Sequence, residues 1–331
     1  MTKKTLLIVS AIALVLILTL VLIFYKPKFE SSPIPIKRYE IALMEIDSNR
    51  VAEELYLLFK DFPLFGYGAD LEDRHSVQQI FDFITDPRTK ELLADVLEKY
   101  PDLKSLEALL GESFARYNRL FDRSIIPTIY TYISYLDYDN RVIFEKLGFD
   151  TVLVIAIDMY LGADNQHYNA TGLPMYIRMR LDEPFIAVDA MRAVAHFELE
   201  NTPQPLNNLL DHMILHGKVA YFLEKTLPSV DMAVRFGFTP EQMDWCRQSE
   251  RMVWSYLVGE KLLYEQNMFR FRSFVSESPT IQIFPGSPGR VGHYIGYRIV
   301  RRYMENTGQT LPELFEETDS QKILRLSNYR P

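Results

Sequence analysis

The chain has 331 residues, a net charge of −8 and one cysteine, Cys246, so an intramolecular disulfide is excluded and core packing must supply the stability. The four lysines among residues 1–28 leave −12 for the remainder, which argues against a nucleic-acid partner. Twenty tyrosines and twenty-one phenylalanines suit a large core or a protein interface without separating the two.

From Thr5 to Tyr25 the chain carries no charge over twenty-one residues, enough for a helix to span a bilayer. The run is longer than the apolar core of a secretory signal and is followed by Lys26-Pro27-Lys28-Phe29 rather than a small-x-small site, so it reads as an uncleaved anchor. Lysines flank it on both sides and give no orientation; the short N-terminus favours a cytoplasmic tip, residues 1–4. No cysteine lies near the run to accept a lipid. Residues 26–38, Ser- and Pro-rich at 30–36, read as a stalk.

Residues 39–331 read as one extracytoplasmic α+β domain, mostly α-helical with a small sheet of about three strands. Over 39–124, apolar residues recur at helical spacing, as in Val77, Ile80, Phe81 and Ile84, and Pro63, Pro87 and Pro101 punctuate the helices. Over 125–162, runs such as Thr151-Val-Leu-Val-Ile-Ala-Ile157 are β-branched and bounded by turn residues. Residues 152–157 are apolar on both alternating faces, which predicts a strand covered on both sides. Helices return over 184–331, at about 186–199, 206–227, 239–264 and 291–305. Thr239-Pro240-Glu241-Gln242 places a capping threonine, a first-turn proline and a capping-box glutamine.

The most suggestive chemical spacing is His212-Met-Ile-Leu-His216. Histidines four apart project from one helical face and can reach one Zn²⁺, with Glu250 on the next helix as a candidate third ligand. Met213 stands where a metallopeptidase needs the carboxylate that deprotonates metal-bound water, so hydrolysis is not expected and no cofactor is required. The bland reading sets both rings on the flank of an amphipathic helix. Asp158, at a strand end, reads as a turn cap before a catalytic acid. In Ser287-Pro-Gly-Arg-Val-Gly-His-Tyr-Ile-Gly296, the glycines Gly289, Gly292 and Gly296 permit close helix packing or line a binding groove. Arg290, Arg298, Arg301 and Arg302 make the region basic, to pair with the domain's own carboxylates or to dock a partner.

Several stretches, in order, resemble the gliding-motility lipoprotein family GldB of Bacteroidetes: Asp158-Met-Tyr-Leu-Gly162, Leu173-Pro-Met-Tyr-Ile-Arg-Met-Arg180, Met213-Ile-Leu-His-Gly-Lys218, Phe238-Thr-Pro-Glu-Gln-Met-Asp-Trp245, Ser287-Pro-Gly-Arg290 and Ser327-Asn-Tyr-Arg-Pro331. The resemblance implies a cell-envelope component needed for gliding and type IX secretion, partnered by a GldC-like protein. A more distant similarity is to zincin-like predicted peptidases, which carry a true H-E-x-x-H on the corresponding helix; Met213 departs from it, and the absent lipobox departs from the lipoprotein pattern. The expectation is a degenerate zincin-like, non-enzymatic scaffold on the inner membrane, facing the periplasm. Its rivals are a zinc peptidase using His212, His216 and Glu250, and an envelope protein binding peptide or glycan in a cleft between Asp158 and the Arg290 loop.

Overall fold

Alternation of β-branched and aromatic residues builds the sheet, and helical periodicity surrounds it. The computed structural model describes residues 31–331, of which 33–331 form one unit. The predicted tip, the predicted span at 5–25 and the start of the stalk lie outside the described residues. Among the described residues no helix is long and apolar enough to cross a membrane.

The sheet has four strands where about three were expected: β1 (Ile36–Arg38), β2 (Thr128–Tyr132), β3 (Val142–Leu147) and β4 (Asp150–Ala156). Their order is β1-β2-β4-β3, with β1, β2 and β4 parallel and β3 antiparallel to β4. The added strand corrects the stalk boundary. The sequence places Ile36–Arg38 in the stalk because the Ser/Pro stretch at 30–36 resists both helix and sheet, but proline is tolerated beside an edge strand. Ile34 is buried, and the Ile36 amide donates to the Glu107 carboxylate at 2.9 Å. The partner strand is remote in sequence, so no local pattern announces the pairing.

The two-sided burial expected of residues 152–157 is present. Ile129, Leu153 and Ile155 join the main core on one face, while Tyr130, Val152 and Val154 are covered on the other by Phe62, Leu64 and Phe65. Those covering residues lie in and just before α3 (Pro63–Gly66), which follows α1 (Tyr39–Met44) and α2 (Val51–Asp61) and precedes α4 (Arg74–Thr85). Beyond them, α5 (Pro87–Lys99) and α6 (Lys104–Phe121) pack into the main core through Leu92, Val96, Leu110 and Phe114.

After the strands, a 3-10 turn at Ile157–Tyr160 and α7 (Met175–Arg178) lead to the C-terminal helices. These are α8 (Glu183–Glu200), α9 (Leu209–Thr226), α10 (Met232–Phe236), α11 (Pro240–Gly259), α12 (Met268–Val275), α13 (Val291–Thr307), α14 (Leu311–Glu316) and α15 (Ser320–Ser327). The capping box at Thr239 forms: its hydroxyl accepts from the Gln242 amide at 3.2 Å, and the Gln242 side chain accepts from the Thr239 amide at 3.0 Å. The helix it starts ends at Gly259 rather than near Tyr264, because Lys261 turns into the left-handed region at φ 54°.

Candidate functional site

Helices α9 and α13 form the centre of the C-terminal half, and their sequences explain how closely they approach. Gly217 lies against the backbone of Gly296, and a methyl added at Gly296 would overlap the carbonyl oxygen of Met213. A methyl on Gly292 would come within 2.6 Å of the Phe274 carbonyl, and one on Gly289 would strike Ser278. Gly289, Gly292 and Gly296 are buried, so they present no surface to a partner; they let two backbones meet inside the fold.

That approach governs the histidines. His216 on α9 stacks on His293 of α13, with ring centroids 3.6 Å apart and planes at 18°. His293 donates from Nε2 to the carbonyl of Val275 at 2.9 Å. His212, one turn back, packs against Phe271 with centroids 5.6 Å apart. Met213 between them is fully buried, and the methyl imagined on Gly292 would lie 3.3 Å from its Cγ.

Glu250 is not brought to these rings. Its carboxylate accepts from the Tyr294 hydroxyl at 3.1 Å and the Tyr329 hydroxyl at 2.8 Å, and pairs with Arg298 at 3.2 Å. The spacing argument for a third ligand fails because helix periodicity fixes which face a residue takes, not which neighbour that face meets. Among the described residues no group of three or more His, Cys, Asp or Glu is arranged to hold a metal.

Burial, then Arg192, push the His216 imidazole down to about 3, and burial followed by His216 itself hold His293 well below the usual range. Arg192, His196, His212 and Arg290 add repulsion against a proton on His216. The sign of the pH dependence follows. Below about pH 6.5 the unfolded chain protonates both rings while the folded chain keeps them neutral, so folding stability falls as pH drops from 6.5 toward 3. The ceiling is about 1.4 kcal/mol per pH unit for each ring, lowered by their partial exposure. The melting temperature should decline between pH 7 and about 5.5, above the range in which ordinary carboxylates titrate, and His216→Phe should flatten that slope.

A second polar cluster, which sequence reading did not assemble, lies where α7, α8, the α10–α11 turn and the loop before α13 converge. Arg141 pairs with Asp189 at 2.9 Å, and Arg192 lies 3.7 Å from the same carboxylate. Arg180 and Arg290 share Glu277, at 2.8 Å and 3.4 Å. Burial works against the Asp189 charge, but Arg141 and Arg192 outweigh it and hold the carboxyl below its usual range. Burial, with Arg180 nearby, pushes Arg290 down to about 10, which still leaves it cationic at neutral pH. Arg290 takes a left-handed backbone conformation, φ 59°, unusual for a side chain of its size, and its guanidinium lies over the Phe238 ring. Of these residues only Arg290 stood out in the sequence; the others come from segments whose proximity no local pattern signals.

Asp158 acts as a turn cap. Fully buried, it accepts from the Ser134 and Leu136 amides at 3.0 Å and 2.9 Å, which ties the turn after β2. Burial outweighs these bonds and raises its pKa. Arg298 and Arg301 pair internally, with Glu250 and Glu305. Lys218 is fully buried, donates to the Gln204 side chain and the Glu317 carbonyl, and ties α9 to the C-terminal segment. Burial raises the Cys246 thiol to about 12, so it stays protonated.

These features define the class: a mostly helical α+β domain centred on a glycine-packed helix pair, with an arginine crevice at its rim. The chain belongs to the GldB family of gliding motility proteins, since the family described as Gliding motility protein GldB matches residues 25–331. No curated protein and no solved structure matches it.

Proposed function

We propose that this chain is a non-enzymatic scaffold subunit of the gliding apparatus, held in the inner membrane by residues 5–25 with its folded domain in the periplasm. In this reading it works through protein contacts, with a GldC-like protein and components of type IX secretion as partners. Helix α9 is then the remnant of a zincin-like metal helix.

The observation that carries the proposal is Met213. It occupies the position from which a peptidase would activate water, offers no proton acceptor, and is sealed against Gly292 and Gly296. His216 is engaged by His293, and Glu250 by two tyrosines and an arginine. A zincin-like peptidase would need all three residues at one ion.

The decisive experiment tags the chain at its C-terminus in its native host and identifies what copurifies from membranes; recovery of gliding or secretion components is expected. Metal analysis of the same preparation is expected to find no zinc that depends on His212 and His216. Met213→Glu, which restores the peptidase spacing, should cost about 3 kcal/mol or more by burying a carboxylate, as denaturant titration would read, and should create neither zinc binding nor peptide cleavage. Stoichiometric zinc lost on replacing His212 and His216, or metal-dependent cleavage, would overturn the proposal.

A further inference from the structure

The crevice built around Arg180 and Arg290 is out of charge balance. Arg141, Arg180, Arg192 and Arg290 face two carboxylates, Asp189 and Glu277. Such an excess of guanidinium in a largely dehydrated setting favours the arrival of another anion.

The two acids are not equivalent. Asp189 lies on α8, between Arg141 and Arg192. Glu277 sits on the loop between α12 and α13 and is exposed, so a loop motion can withdraw it. Glu277 also leaves the Arg180 fork incomplete. It meets Nη2 at 2.8 Å, while Nε of the same guanidinium is buried without a hydrogen-bond partner. A planar carboxylate approaching side-on engages Nε and Nη2 together, the strongest geometry available to this pair.

The walls bear on the rest of the ligand. Leu181, Phe185, Val188 and Val234, with Arg141, Arg180 and Arg192, line a void of about 10 Å³ behind the Arg180 guanidinium, room for little more than one oxygen atom. These apolar walls suit the stem of a carboxylate that takes the place of Glu277 better than a tetrahedral dianion, whose further oxygens would meet them without hydrogen bonds. Gly237, at φ +66°, makes the space for Arg180: a methyl there would lie 2.7 Å from Arg180 Cδ.

We propose that Arg180 and Arg290 form a carboxylate receptor in which Glu277 is the resident occupant, and that a partner protein docks by placing a carboxylate, from an acidic side chain or a chain terminus, in its stead. This rests on the reading of the chain as a protein-contact subunit and names the chemistry of one contact. The exchange forms and breaks only ion pairs and hydrogen bonds.

The test uses the full chain in detergent micelles, titrated with sodium propionate and, in parallel, with sodium phosphate and sodium chloride at matched ionic strength, reading the melting temperature and the heat of binding. Propionate is expected to raise the melting temperature saturably and more than either other salt. Arg180→Gln should weaken propionate about tenfold by removing the fork, and Glu277→Gln should tighten it by a similar factor by removing the internal competitor. The opposite direction of the second variant keeps the test decisive even if Arg180→Gln folds poorly. Peptides carrying one glutamate with an amidated terminus, or a free terminus with no acidic side chain, then distinguish the two sources. Phosphate or chloride binding as tightly as propionate, or affinity unchanged in Glu277→Gln, would sink the proposal. The membrane copurification decides the scaffold reading separately, because it does not depend on whether propionate binds.

Discussion

Gly296→Ala should cost the chain about 3 kcal/mol or more of folding stability, read as a fall in the denaturant midpoint at unchanged slope. The added methyl meets the backbone carbonyl of Met213, not the end of a flexible side chain, so no rotamer change relieves it and α9 and α13 must separate. Alanine's better helix propensity returns less than about 1 kcal/mol. Separation would also loosen the His216–His293 stack and the cover over Met213, so the loss should spread beyond one contact. Gly308→Ala is the control. Gly308 has φ +67° with open space around it, so its replacement should cost only about 1 kcal/mol, the strain of a left-handed alanine. Equal losses at the two positions would show that backbone conformation, not close approach, sets the requirement.

Glu250→Ala should be comparably damaging, about 3–5 kcal/mol, because it removes the shared acceptor of two buried tyrosine hydroxyls and leaves Arg298 uncompensated. Tyr329 lies close to the chain end, so the same carboxylate fastens the C-terminal segment to α11. Trp254, on that helix, packs edge-on against Tyr329 with ring centroids 5.0 Å apart and backs the attachment. Glu250→Gln keeps an acceptor and should lose roughly half as much. Chemical denaturation measures the loss, and limited proteolysis should show the last residues becoming cleavable in Glu250→Ala but not in the parent. If Glu250 instead served a metal, its removal would change zinc content and leave the C-terminus protected.

Much of this protein was readable along the chain. Helical periodicity, the prolines and the capping box at Thr239 placed most of the long helices to within a few residues, because those signals are local: spacing selects a face, and caps satisfy backbone groups near their own position. The covered strand at 152–157 was equally clear, since residues buried on both faces are apolar at every position. The close spacing of Gly292 and Gly296 pointed to tight helix packing for the same local reason. The absence of an acid at Met213 is a statement about one position, and no fold can reverse it.

Tertiary structure decided the rest. The edge strand at Ile36–Arg38 exists because β2 offers it a partner from far along the chain, and Glu250 belongs to Tyr294 and Tyr329 rather than to the histidines because α11 turns that face toward α13. The arginine crevice draws Arg141, Arg180, Arg192 and Arg290 from four separate segments, each an ordinary basic residue where it stands in the sequence. Local spacing determines which side chains share a face. What those faces meet depends on how the helices and sheet close around a common core, where burial and charge are set by residues distant in the chain.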